Sequence, residues 1–391
     1  MTTTEATNIT ALRVRDPLRP VTYRLPTTIV FGRDVLAQLP DIARDSGYQF
    51  PLIVTDRGLA ATDVPGRVAG VLQDAGIRHA TFTEVESDPS TEVVDRIGAL
   101  LKANSHDSVI GLGGGSAMDA AKAAAAVATN GVPSVDLTGP DKVRIAPLPV
   151  IAIPTTAGPG SEVTKFAVLT DRSAGKKLSI ASMRIMPEWA ILDPALTVGL
   201  PAQFTLATGL DALSHAIESY GSVWNNPISE GMALQAITLI GANLRMAHAE
   251  PEDLNARAGM LAASCIAELA ANTTRLGLGH ALGVPMGATH HIPHGLAVGM
   301  MLPPMCRFNA ELEPARYGRV AEALDPSAAD LDGALSALYS RISMDAKLSQ
   351  FGVAEDDFGR ITDLAMLSDN VLANPREASR DDFARLLREA L

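Results

Sequence analysis

Aromatic residues are scarce in this sequence, making up 4% of 391 residues. A core must therefore be built from Ala, Leu, Ile, Val and Met, and no stacking platform for large ring substrates is evident, which leans toward small aliphatic ones. Cysteine is nearly absent. Cys265 and Cys306 alone exclude a disulfide framework or a Cys-based zinc site, and they fit a reducing, cytoplasmic setting. No run approaches the roughly 18–20 apolar residues that span a bilayer. The nearest, Ala120–Ala128, is short and interrupted by Lys122. Basic residues are in deficit, 32 against 44 acidic, and the net charge of −12 argues against nucleic acid or an anionic membrane as the main partner. A locally positive pocket remains compatible with it. The opening MTTTEATNITALRVRDPLRP has no apolar stretch of the kind a signal peptide needs, and residues 1–20 read as a loose arm.

What is present is apolar surface. Hydrophobic residues are 47% and charged residues 19%, which excludes disorder for most of the chain, and the length suggests two or three domains. Residues 21–198 alternate strand-like and helix-like pieces. Val21–Phe31 reads as one or two strands, and Pro51–Thr55, His79–Thr83, Ser108–Leu112 and Pro149–Ile153 as further strands. Helical spacing falls at Asp34–Ser46, Val64–Ala75, Thr91–Ala103 and Ala117–Thr129 between them. Such alternation implies βαβ units, hence an α/β, Rossmann-like domain with a parallel sheet. Over residues 199–391 strand alternation nearly disappears. Pro201–Ser219, Ser229–His248, Asn255–Ala271, Gly295–Asn309, Pro314–Leu324, Leu331–Ser343 and Asp381–Ala390 all carry helical periodicity, so an all-α domain is expected.

Between one strand and the next helix lies Gly111-Leu112-Gly113-Gly114-Gly115-Ser116. Glycines let a backbone approach a pyrophosphate, and the helix N-terminus offers free N–H groups. Ser116 can cap that helix or donate to phosphate. A plain strand-to-helix turn would use the same residues, and the run is not the usual G-x-G-x-x-G fingerprint. A second polar loop, Pro154–Thr164, follows the next strand, so both loops fall at the carboxyl edge of the sheet, where open α/β sheets bind ligands. Asp56, ending the strand Pro51–Thr55, is placed to accept from an adenosine ribose, or else simply starts a turn.

Four of the eight histidines crowd into Leu276–Gly295. Asp211 and His215 are four apart, on one helical face, among apolar or small neighbours; such a pair can share a metal or be a plain hydrogen-bonded pair. His280 and His294 would add two imidazoles. One carboxylate and three imidazoles suit Fe(II), Zn(II) or another first-row ion with open positions for substrate.

Four ordered motifs now stand together: Gly-Gly-Gly-Ser-x-x-Asp-x-x-Lys at Gly113–Lys122, Pro-Thr-Thr-x-Gly-x-Gly-Ser-Glu-Val-Thr at Pro154–Thr164, Gly-x-Asp-Ala-Leu-x-His-Ala-x-Glu at Gly209–Glu218, and Pro-His-Gly at Pro293–Gly295. Over residues 21–390 the chain resembles the iron-containing (group III) alcohol dehydrogenases. The resemblance implies a dehydroquinate synthase-like architecture, with NAD(P) and a divalent metal held in a cleft between the two domains. It implies the metal ligands Asp211, His215, His280 and His294. For the cofactor, NAD with NADP as the alternative, it implies contacts from Gly114, Gly115, Ser116, Asp119, Thr155 and Thr156, with Asp56 and Lys177 at the riboses. Fe(II) is the expected ion, Zn(II) the alternative, and a homodimer the expected assembly.

Three positions depart from the family pattern. Val284 stands where many members carry a further histidine, so proton transfer is expected to pass to His290, to His291 or to water. Pro159 replaces a usual threonine. Arg275 replaces a usual glycine, and could serve an anionic substrate or merely face outward. The activity implied is reversible hydride transfer between a small primary alcohol and its aldehyde. Rival readings are a maleylacetate-type or other reductase of an anionic carbonyl, a metal- and NAD-dependent lyase or cyclase resembling dehydroquinate synthase, and a non-catalytic role.

Overall fold

Six strands pair in parallel in the order β1-β9-β6-β4-β2-β3: β1 Thr28–Phe31, β2 Pro51–Asp56, β3 Ala80–Val85, β4 Ser108–Gly113, β6 Val150–Pro154 and β9 Trp189–Leu192. This computed structural model describes residues 15, 16 and 18–391, and the rest of the expected N-terminal arm lies outside them. The described residues form two compact units, Arg24–Leu200 and a second comprising Pro201–Leu391 with the residues before Arg24. In the second unit Arg15 is pinned by the carboxylate of Glu313, the side chain of Asn225 and the carbonyl of Gly221.

Helices α1 Leu39–Asp45, α2 Arg57–Ala60, α3 Val64–Asp74, α4 Thr91–Ala103 and α5 Gly115–Asn130 connect the strands. Alternation along each strand sorts the side chains between two cores. Leu52, Val54 and Val109 face the core built with α4 and α5, whereas Ile53, Ile110, Leu112, Ile151 and Ile153 face the one built with α1 and α3. Both faces are covered, which is why Pro51–Thr55 and Ser108–Leu112 read as unbroken apolar runs. The expected parallel sheet with helices is what the chain forms.

Two expectations about strands need correction. Only Thr28–Phe31 of Val21–Phe31 is a strand. A second sheet also went unread: β5 Gly139–Pro140, β7 Phe166–Asp171 and β8 Lys176–Ala181 pair in the order β5-β8-β7, with β7 and β8 an antiparallel hairpin. Polar residues in Lys176–Ala181 and the lack of a flanking helix give this hairpin no βαβ pattern.

The second unit is helical throughout: α6 Ala202–Gly221, α7 Pro227–Ala249, α8 Leu254–Thr274, α9 Leu278–His290, α10 His294–Ala310, α11 Pro314–Leu324, α12 Leu331–Arg341, α13 Phe358–Ala365, α14 Asn370–Ala373 and α15 Arg380–Ala390. From Gly209 to Gly221 every residue of α6 is buried, so helices surround its functional half. His291, at φ 54°, ends α9, and Pro293 restarts the chain as α10. This break places His294 at the beginning of α10, while His280 lies in the first turn of α9, after Gly277. No helix among the described residues is long and apolar enough to cross a membrane.

Candidate active site

In the α/β unit the chain order reverses direction across the sheet between β2 and β4, and parallel sheets bind ligands at such a point. The β2 end carries Asp56 and the β4 end carries Gly113. Gly113 pairs with Pro154, and its carbonyl accepts from the Thr155 N–H at 3.0 Å. Gly113 has φ +142°, and a Cβ there would stand 2.9 Å from the Ala117 side chain and 3.1 Å from Asp56 Oδ2. Only glycine lets the strand turn into α5 beside that carboxylate. Gly114 lies against Thr156 and Gly115 against Pro159, so the two loops read from sequence are neighbours. Thr156 Oγ1 is buried and has no hydrogen-bond partner, a donor and acceptor open to a ligand. Asp56 also caps α2, its Oδ1 accepting from the Leu59 N–H at 2.9 Å.

Two expected cofactor residues are held by the protein itself. Asp119 gives its carboxylate to Ser161 Oγ, to Lys122 Nζ at 3.1 Å and to the Val168 N–H at 2.9 Å. It thus ties α5 to the second loop and to the hairpin instead of presenting free oxygens. Lys177 is ion-paired with Asp88, whose N–H donates to Ser116 Oγ at 3.2 Å, so Lys177 and Ser116 meet through Asp88. Lys122, the last residue of the Gly113–Lys122 motif, is the hub. Fully buried, its Nζ donates to the Ser161 carbonyl and hydroxyl and to Thr164 Oγ1, all at 2.9 Å, and to the Phe166 carbonyl at 2.5 Å. An i,i+3 Asp119/Lys122 pair on an otherwise alanine-rich helix was the available signal.

In the helical unit Asp211, His215 and Glu218 share one face of α6, at spacings of four and three. The start of α10 abuts α6 so closely that a Cβ on Gly295 would collide with the Ala207 carbonyl, which gives the glycine of Pro-His-Gly its physical reason. Three imidazoles consequently converge on one oxygen. Asp211 Oδ1 lies 3.5 Å from His215 Nδ1, 3.5 Å from His280 Nε2 and 3.6 Å from His294 Nε2. Asp211, His215 and His280 each bring a ligand-type atom within 4.8 Å of the others, all buried, while the His294 side chain is 45% exposed.

Hydrogen bonds set the tautomers. His215 Nδ1–H donates to the Asp211 carbonyl at 2.9 Å, leaving the Nε2 lone pair available. Burial, opposed by Asp211, pushes the His215 pKa down to about 4, so the ring is neutral at pH 7. His280 Nδ1 donates to Glu218 Oε1 at 2.6 Å, which turns Nε2 toward Asp211. Burial disfavours charge on His280, but Glu218 and Asp211 outweigh it and raise its pKa to about 10. Asp211 is held well below the usual carboxylate range: burial opposes this, and the three imidazoles prevail. Asp211 Oδ1 and His280 Nε2 are both buried without a hydrogen-bond partner. A buried orphan carboxylate oxygen beside the neutral His215 ring fits a cation, which on binding would take the place of the His280 Nε2 proton.

Glu218 was quoted in a sequence motif without a function. It also accepts from Ser214 Oγ at 2.5 Å, from the Gly277 N–H at 2.6 Å and from the His280 N–H at 3.2 Å, capping α9 from a neighbouring helix. Its place seven residues after Asp211 was the signal. His290 does not join the cluster. Its Nδ1 meets Thr289 Oγ1 at 2.8 Å and its Nε2 stands 3.4 Å from Asp357, because the last turn of α9 carries it away from the turn that holds His280. The expected proton relay through His290 thus has no contact with Asp211, His215, His280 or His294 among the described residues.

Residues 26–194 match the family model for iron-containing alcohol dehydrogenase, and residues 205–391 match that for the C-terminal part of the same family. The chain belongs to the iron-containing alcohol dehydrogenase family. It is 34% identical to alcohol dehydrogenase 4 of Saccharomyces cerevisiae over 94% of this chain and 98% of that one. Among solved structures, a 1,3-propanediol oxidoreductase superposes with a TM-score of 0.91 at 33% identity, over 95% of this chain and all of the other. The sulfoacetaldehyde reductase of Bifidobacterium kashiwanohense, in complex with NAD+, superposes at 0.89 with 33% identity, over 95% and 98%. This chain is thus an oxidoreductase of a family that implies a metal and NAD.

The departures from the family pattern have definite surroundings. Val284 is 43% exposed. Pro159 packs on Gly115 in the glycine-run neighbourhood. Arg275, at φ 55° just beyond α8, pairs with Asp369 at 3.2 Å, so its guanidinium already has a carboxylate.

Proposed function

We propose that this chain is a metal-dependent, NAD(P)-linked alcohol dehydrogenase that interconverts a small primary alcohol and its aldehyde, with Asp211, His215, His280 and His294 holding the ion. The observation that carries this reading is the convergence of three imidazole nitrogens on the buried, unpartnered Asp211 Oδ1. When bound, a divalent ion supplies a Lewis acid for the alcohol oxygen and a nicotinamide cofactor supplies the hydride acceptor.

The residues do the rest by position and charge. Asp211 offsets the ion's charge. Glu218 and the Asp211 carbonyl engage Nδ1 of His280 and of His215, so that Nε2 of each ring would be the nitrogen offered to the ion. In the α/β unit Gly114, Gly115 and Ser116 offer main-chain N–H groups at the α5 start for a diphosphate, Thr155 and Thr156 add hydroxyls, and Lys177 borders Ser116 through its ion pair with Asp88. Asp56 Oδ2 remains for a ribose, which favours NAD over its 2′-phosphorylated form. Asp119 and Lys122 position the second loop. Fe(II) is the ion this set best suits, with Zn(II) the alternative. The two buried cysteines, neither of them in a disulfide, accord with a cytoplasmic location, and a homodimer follows from the family resemblance.

The test is a panel of neutral and anionic aldehydes assayed with NADH and NADPH on metal-loaded protein. We expect turnover of small neutral aldehydes with NADH, lost on chelation and on His280→Ala. Full activity after complete metal removal would overturn the assignment, and NADH that cycles without net consumption would point to the lyase class. Because Asp369 occupies Arg275, anionic aldehydes are expected to gain no advantage.

A further inference from the structure

A second carboxylate reaches the metal cluster from a different helix. Glu268, on α8, is 6% exposed, and its Oε2 stands 3.4 Å from His215 Nε2. His215 spends its Nδ1 proton on the Asp211 carbonyl, so in the neutral ring Nε2 carries the lone pair. A carboxylate oxygen and a lone-pair nitrogen at this separation, both buried, favour a positive centre close to both. Donor atoms around one first-row ion, with bonds of about 2.1 Å, stand roughly 3.0–3.4 Å apart. The observed separation has that scale.

We propose that Glu268 is a second acidic determinant of the metal centre, placing a negative charge beside the nitrogen through which His215 takes the ion and so raising affinity for divalent cations. This rests on the reading that Asp211, His215 and His280 hold a metal, and it goes beyond those ligands. Two carboxylates make the site more anionic than one carboxylate with three neutral imidazoles, a balance that suits oxygen-preferring ions such as Mn(II) and Fe(II).

The experiment titrates metal-stripped, full-length protein with MnCl2, following free Mn(II) by its electron paramagnetic resonance signal. Wild type, Glu268→Gln, Glu268→Asp and His280→Ala are compared, with circular dichroism of each metal-free protein to confirm folding. Glu268→Gln is expected to bind Mn(II) at least tenfold more weakly. Glu268→Asp, which keeps the charge, is expected to recover most of that loss, which a merely structural role would not produce. If the glutamine variant fails to fold, Glu268→Ala replaces it in the same comparison. Charge-removing variants that bind within threefold of wild type would overturn the proposal while leaving the ligand set intact. Wild type binding no better than His280→Ala would instead overturn the metal reading beneath it.

Discussion

Replacing Glu218 with glutamine tests whether one buried carboxylate sets the chemistry of His280. The change preserves volume and removes one acceptor. Glu218 receives four hydrogen bonds: Oε1 from His280 Nδ1 and Ser214 Oγ, Oε2 from the Gly277 and His280 N–H groups. An amide has one oxygen. If that oxygen stays with the two backbone groups, which cannot move without unwinding the start of α9, the amide NH2 confronts His280 Nδ1–H. The ring then either loses a charge-assisted hydrogen bond, about 1.5–3 kcal/mol, or moves its proton to Nε2 and gives up the lone pair that faces Asp211. A loss of about 2 kcal/mol corresponds to roughly 30-fold in metal affinity, within the 10–100-fold range usual for groups that orient metal-binding histidines. The assay is competition for Zn(II) against a chelator of known affinity, with the melting temperature of the metal-free protein as a control for folding. A variant that remains folded and binds Zn(II) within threefold of wild type would refute the claim that Glu218 fixes the His280 tautomer.

Other substitutions probe the α/β unit and the departures from the family pattern. Lys122→Met removes a buried cation from beside Asp119 and orphans the acceptors it serves, and should cost about 3–5 kcal/mol in urea unfolding; a loss under 1 kcal/mol would deny it the role of hub. Glu162 is fully buried, and burial lifts its pKa from 4.5 to about 7 against the opposing pull of its own N–H and of Lys122. The folded protein thus binds this proton more tightly than the unfolded chain. The associated stabilisation is complete below about pH 4.5 and disappears as pH rises to about 7, a change of about 3 kcal/mol. Glu162→Gln should therefore gain stability relative to wild type across that window, and parallel pH profiles for the two would refute the shift. His290→Ala should leave the aldehyde reduction rate within about twofold of wild type, since the ring is engaged by Thr289 and Asp357; a tenfold fall would restore the relay.

Much of this architecture was legible because its signals are local. Pro51–Thr55 and Ser108–Leu112 announce buried parallel strands by unbroken apolar runs, and Gly113-Gly114-Gly115-Ser116 announces a strand turning into a helix. Asp211 and His215 sit on one helical face by spacing alone. The hairpin Phe166–Asp171 with Lys176–Ala181 was missed because its strands are partly exposed and mixed in polarity, so their pattern resembles a loop. Glu268 gave no signal, since a single acid on an otherwise ordinary helix is usually a solvated one.

Turn chemistry and periodicity act over a few residues, so the sequence alone was enough for most of the helices, the central parallel strands, the two loops at one sheet edge and the four metal-type side chains. Only tertiary structure decided what those side chains face. Packing of α9 and α10 against α6 brings two imidazoles to the Asp211 oxygen that His215 already approaches from its own helix, and Glu218, 62 positions before its ring partner, fixes which nitrogen of His280 faces that oxygen. Within the α/β unit, packing of α5 against the second loop and the hairpin gave Lys122 its acceptors, and the fold of the helical unit assigned His290 and Arg275 to carboxylates of their own. Direction and partner are properties of the folded interior, where an unmet charge or hydrogen bond is costly enough to fix them.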